Sequence, residues 1–220
     1  PSTANWLLPT LILAVVGIIA TFVIFSQPAV VQQIQDQQQK AFDKQVSAGK
    51  MTQAQADQAQ AMAEKFSGPG AIKIYGSFGA VISSFIVTFW WALLLWLIGR
   101  FYLKAPLAFS KALEVSGLAI MIGALAAVVK TLLVVVTGSA FAAPSLLLLV
   151  KKFDPHNPVH LLLALTDVMN FWLLAVRSVG LAKLTNTSFG KTVVAVFGIW
   201  LLFAALAIGF SLAMQAVFGR

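Results

Sequence analysis

The stretch Ser77–Tyr102, SFGAVISSFIVTFWWALLLWLIGRFY, decides the fold. It holds one charge, Arg100, close to its end. A helix needs about 20 mainly apolar residues to cross the ~30 Å hydrocarbon layer of a bilayer. Working outward, four more runs match it: Trp6–Phe25, Val115–Val136, Val159–Lys183 and Thr192–Phe218. The apolar residues are continuous within each run, which excludes the period-two alternation of a transmembrane β-barrel. The chain is 60% hydrophobic and only 10% charged, with a mean hydropathy of +0.90. Soluble domains carry about 25% charged residues. The expected fold is therefore all-α, a polytopic transmembrane bundle of five spans.

Between the first two runs the character changes. Residues 1–27 hold the first transmembrane helix, and residues 28–70 are rich in Gln, Ala, Lys and Asp. There Val31, Ile34, Phe42 and Val46 recur at helical spacing, as do Met51, Met62 and Phe66. Gly49 fits a helix C-terminus, and Thr52 with Gln55 fits a capping box. The pattern predicts a water-exposed helical hairpin between spans 1 and 2, closed by Ser67-Gly68-Pro69-Gly70, with a Gln-rich linker as the alternative. Residues 71–220 then form a four-helix region with spans at about 77–102, 115–136, 159–183 and 192–218. Trp6–Phe25 has no basic segment before it and no cleavage site after it, and reads as a span. Ala119, Gly123 and Ala127, four apart, predict a face for close helix approach. Asn157 followed by Pro158 marks a helix start.

Net charge is +8. The Lys and Arg residues gather at helix ends rather than in a patch interleaved with aromatics, which excludes nucleic acid as a partner. Arg100, Lys104 and Lys111 lie between spans 2 and 3, and Lys183 and Lys191 between spans 4 and 5. The positive-inside rule makes those loops cytoplasmic. The N-terminus is then cytoplasmic, and the hairpin, Lys151-Lys152 and Arg220 lie on the other, periplasmic side. There is no cysteine, hence no disulfide or thiol chemistry.

Intramembrane charge is the nearest thing to a chemical signal, because it is costly there. Lys130 and Asp167 each fall about eight residues from the same end of consecutive spans, a depth of roughly 12 Å. They predict an ion pair, with Asn170 one turn from Asp167. The pair reads as structural, fixing helix register, or as part of a relay or substrate path. Glu114 reads as a dipole partner at a helix N-terminus, and Arg177 as a side chain that snorkels to the cytoplasmic face. His156 and His160 are four apart, but Pro158 lies between them and they read as a polar loop. No nucleophile elbow, zinc-protease helix or phosphate-binding loop is present, so no enzyme activity, cofactor or metal is expected.

The run Asp167-Val168-Met169-Asn170-Phe171-Trp172, continuing through Gly180-Leu181 to Thr187-Ser188-Phe189-Gly190-Lys191, resembles the closing portion of the bacterial Yip1-domain family. Pro1–Pro9 and Phe109–Leu113 resemble it too. The motif residues are Phe171, Trp172, Gly180, Leu181 and Lys191. The resemblance implies five spans with a cytoplasmic N-terminus. The Asp-Leu-Tyr-Gly-Pro motif of eukaryotic relatives, which contact small GTPases, is absent. The expected function is that of a non-enzymatic scaffold or assembly subunit of a bacterial inner membrane. The alternative is a small-molecule or ion transporter or channel built on Lys130 and Asp167. The expected partners are the lipid bilayer and a second copy or a larger membrane complex.

Overall fold

A computed structural model describes residues 5–150, 153–154 and 157–218. Lys151-Lys152, His156 and Arg220 lie outside the described residues. Within them the chain is helical, with no strand. The elements are α1 (Leu7–Ile24), α2 (Pro28–Ser47), α3 (Gln53–Ser67), α4 (Pro69–Leu97), α5 (Phe109–Thr137), α6 (Pro158–Ala164), α7 (Val168–Thr185) and α8 (Phe189–Phe218). A π-turn, Ile98–Tyr102, extends α4, and a 3₁₀ turn, Leu146–Leu149, lies between α5 and α6.

Four helices, α1, α4, α5 and α8, are long and apolar enough to cross a membrane. The pair α6 and α7 makes a fifth crossing if its two bent halves count as one. The fourth run is thus not the straight helix expected over Val159–Lys183. It bends by 52° at Leu165–Asp167. The bend frees backbone groups that hydrocarbon cannot satisfy, and the preceding loop takes them. Val168 N donates to the Pro144 carbonyl at 3.1 Å. Leu146 N donates to Thr166 Oγ1 at 2.9 Å, and that hydroxyl donates to the Leu163 carbonyl at 2.6 Å.

Helix boundaries follow local chemistry. Thr52 accepts from Gln55 N while Gln55 Oε1 accepts from Thr52 N, a complete capping box at the start of α3. Gly49, at φ +68°, ends the chain's run out of α2. Asn157 caps α6 ahead of Pro158. α5 stops at Gly138, φ +66°. One side chain satisfies the groups released there. Gln33 of α2 donates from Nε2 to the Gly138 carbonyl at 2.8 Å and accepts from Ala140 N at 3.1 Å. Val30, fully buried against Val134 and Ala142, fixes the same joint. The base of α2 is therefore fastened to the end of α5.

α1 packs against α4 and α5, α4 against α5, α5 against α7, and α7 against α8. Lipid tails are as apolar as leucine, so contact between spans depends on close approach. A Cβ on Gly117 would lie 2.4 Å from Trp6 Cβ and 2.5 Å from Trp6 Cα, so α5 meets the start of α1 there with no room to spare. A Cβ on Gly180 would meet Val115 at 2.4 Å, and one on Gly99 would meet Leu107 at 2.5 Å. Of the face expected at Ala119, Gly123 and Ala127, Ala119 is buried, but Gly123 meets only Ile120 of its own helix. The closest approach to another helix's backbone among these glycines is at Gly117.

These distances predict that Gly117→Ala lowers the thermal unfolding midpoint in detergent, at a cost of about 1–3 kcal/mol for overpacking against backbone. Gly123→Ala, with ordinary contacts at 3.5 Å, leaves it unchanged. Equal effects of the two would contradict this packing.

Candidate functional site

Among the described residues, seven buried polar side chains sit on the bundle helices. They are Thr10 on α1, Ser84 and Thr88 on α4, Ser116 on α5, Arg177 and Ser178 on α7, and Thr192 on α8. In hydrocarbon a hydroxyl finds no water, so it must bond to protein. Each hydroxyl here does so. Ser84, Thr88 and Ser178 donate to the carbonyl one turn back, at 2.7–2.8 Å. Thr10 donates to the Trp6 carbonyl at 2.8 Å and lies 3.2 Å from Thr88 Oγ1. Ser116 Oγ reaches across to the Thr88 carbonyl at 2.7 Å, and Thr192 Oγ1 to the Ser178 carbonyl at 3.0 Å. The seam thus ties α1 to α4, α4 to α5 and α7 to α8.

Arg177 breaks the rule. It is 1% exposed and is the largest fully buried side chain among the described residues. It does not snorkel. α7 presents it beside Leu174, Ser178 and Leu181, all fully buried, so the helix face carries it inward. Its guanidinium carbon sits 4.1 Å from the ring centroid of Trp91 on α4. Nε and Nη2 are buried and have no hydrogen-bond partner. A desolvated cation–π contact contributes about 2 kcal/mol. The effective cost of burying an ion is several kcal/mol even after relaxation. Trp91 alone does not offset that cost, so Arg177 is the one energetically open group of the seam.

The expected ion pair is absent. Lys130 is exposed on α5 and forms no ion pair with Asp167. Asp167 is instead the N-cap of α7, accepting at Oδ1 from Met169 N at 2.9 Å and Asn170 N at 3.3 Å. The bend before Asp167 explains the difference, because it turns a mid-span acid into a helix-start acid. Asn170 joins Asp167 through its backbone N–H. Lys111 and Glu114 pair at 2.8 Å in the first turns of α5. His160 Nδ1 accepts from Asp154 N at 3.0 Å.

The family-like residues do not converge on one site. Phe171 packs on Phe197 and Trp200 of α8 at 6.3 and 5.7 Å between ring centroids. Trp172 is half exposed, and Lys191 is exposed in the first turn of α8. Gly180 lies against Val115, and Leu181 sits in the core with Leu95, Leu174 and Val196.

A capping role for Asp167 has a distinct signature. Asp167→Asn keeps the cap and is near neutral, whereas Asp167→Ala costs about 1 kcal/mol. Lys130→Gln leaves unfolding unchanged, and a double-mutant cycle of Lys130→Gln with Asp167→Asn returns no coupling. Coupling between the two would restore the ion pair.

Compared with known proteins, the chain matches no family model, no curated protein and no solved structure.

Proposed function

We propose that this chain is a non-enzymatic integral membrane protein of Yip1-like type, a scaffold or assembly subunit of a bacterial inner membrane. Its N-terminus is cytoplasmic, and the α2–α3 hairpin and C-terminus are periplasmic. The observation that carries this reading is the fixed base of the hairpin. Val30 and Gln33 lock the root of α2 onto the end of α5. α2 as a whole runs through 20 residues, about 30 Å of helix, most of it beyond that root. Beyond the root its side chains are half-buried or exposed, as are those of α3 apart from Ala56 wherever they are described. An arm fastened at its root suits a protein that positions a partner. Between α2 and Phe153-Asp154 lies an open cleft of about 590 Å³, lined in part by Lys40, Asp43 and Lys44. Charges of both signs there favour a polar protein surface over a single charged solute.

The charge distribution supports the orientation. Arg100, Lys104 and Lys111 follow α4, and Lys183 and Lys191 flank the α7–α8 turn, so both connections carry the cationic excess of a cytoplasmic face. The competing reading, transport along a Lys130/Asp167 path, draws less support, because Lys130 is exposed on α5 and Asp167 caps α7.

Two measurements test the proposal. In native membranes, blue-native electrophoresis is expected to show an assembly larger than the 23.5 kDa chain, reduced to the monomer when residues 35–66 are replaced by a short Gly/Ser linker. A monomer in both cases rejects the assembly role. Single cysteines in this cysteine-free chain report the orientation. Gln39→Cys reacts with an impermeant maleimide in spheroplasts, and Ser188→Cys reacts only after permeabilisation. The opposite pattern reverses the topology.

A further inference from the structure

We propose that Arg177 holds one oxyanion, a phosphate or carboxylate group, inside the bundle among α4, α5, α7 and α8. The two buried donors without partners are Nε and Nη2. Their N–H bonds project side by side from one edge of the guanidinium. That edge is the fork that takes two oxygens of a carboxylate or phosphate at once. The contact with Trp91 leaves the fork unused, because the ring covers a face of the guanidinium and the donors lie in its plane.

Among the described residues no acid pairs with Arg177. Its seven acids are Asp36, Asp43, Asp57, Glu64, Glu114, Asp154 and Asp167. The first four belong to α2 and α3, outside the bundle. Asp154 lies in the loop before α6. Glu114 is paired with Lys111. Asp167 caps α7, ten residues before Arg177, which is about 15 Å along the axis. Intramembrane cations ordinarily pair with an acid, a carbonyl or a substrate anion. Arg177 has the donor geometry for an anion and forms no ion pair with an acid among the described residues. Because the residue is 1% exposed, the anion is a resident group that enters as the helices assemble and exchanges slowly. Two sources share this chemistry: the headgroup of an anionic lipid and a small solute such as inorganic phosphate.

The test uses the full chain purified in a maltoside detergent, which has no phosphate or carboxylate. Native mass spectrometry measures retained mass. Tryptophan fluorescence follows thermal unfolding after addition of phosphatidylglycerol, inorganic phosphate or acetate, each against chloride at matched ionic strength. The wild type is expected to retain an oxyanion-bearing molecule as purified, or to gain roughly 5 °C or more on addition of one. Arg177→Met abolishes both effects. Without a charge to bury, it is at least as stable as the anion-free wild type. Arg177→Lys keeps the charge but not the fork. It shows a reduced effect, and it serves as the test should the methionine variant not fold. Glu114→Gln leaves the effect in place. A response to phosphatidylglycerol alone identifies a lipid headgroup, and a response to phosphate or acetate identifies a solute. The proposal is overturned if the wild type neither retains nor responds to any of them, or if the effect survives in Arg177→Met or undiminished in Arg177→Lys.

Discussion

Hydrocarbon offers no hydrogen bonds, and the structure answers to that constraint throughout. Buried hydroxyls of Thr10, Ser84, Thr88, Ser116, Ser178 and Thr192 all find a carbonyl, either one turn back or across a helix interface. The same demand explains why the chain tolerates a 52° bend between α6 and α7. Thr166 and the Pro144–Leu146 loop take the backbone groups that the bend exposes. Arg177 is the exception, with two donors unmatched. In a solvent that penalises such groups by several kcal/mol, an exception of that kind points outside the chain for its partner.

Packing follows from the same solvent. With no hydrophobic drive to bring spans together, dispersion at short range must hold them. Gly117 under Trp6 brings two backbones closer than a larger residue allows, and Gly180 gives the Val115 side chain room against α7. α1 and α4 run antiparallel in a register marked by Thr10 with Thr88, Gly17 with Ala80 and Thr21 with Gly76. α8 is held differently. Val196, Phe197 and Trp200 join the core, whereas Leu201, Leu202, Leu206 and Phe210 beyond them face outward. Its first half belongs to the bundle, and its second half presents apolar side chains outward.

Much of the architecture was legible in the residues because it depends on one-dimensional signals. Apolar run length marked the segments that form α1, α4, α5, α7 and α8. Capping chemistry marked Thr52, Asn157 and the turn at Gly49. Contacts between helices depend on azimuth, which run length does not carry. Counting residues along two spans put Lys130 and Asp167 at one depth, yet Lys130 faces out and Asp167 starts a helix. Distance from the helix end makes Arg177 a snorkelling residue, whereas the face it occupies makes it a buried one. Leu174, Ser178 and Leu181, spaced at four and three around it, were the signal that this face points inward. Gly117 lies outside the regular stripe at Ala119, Gly123 and Ala127, and its contact with Trp6 depends on azimuth rather than spacing.

α1, α4 and α5 join along a buried polar seam. The most direct measurement is intramembrane crosslinking in the cysteine-free chain. Thr10 and Thr88 place their hydroxyl oxygens 3.2 Å apart. The Thr10→Cys/Thr88→Cys variant, treated with mercury(II) in native membranes, is expected to bridge nearly completely. A Leu8→Cys/Ile86→Cys control, at two outward-facing positions, is expected not to bridge. A bridged control with an unbridged seam pair would show that these helices meet on other faces, and the account of the interior would fail.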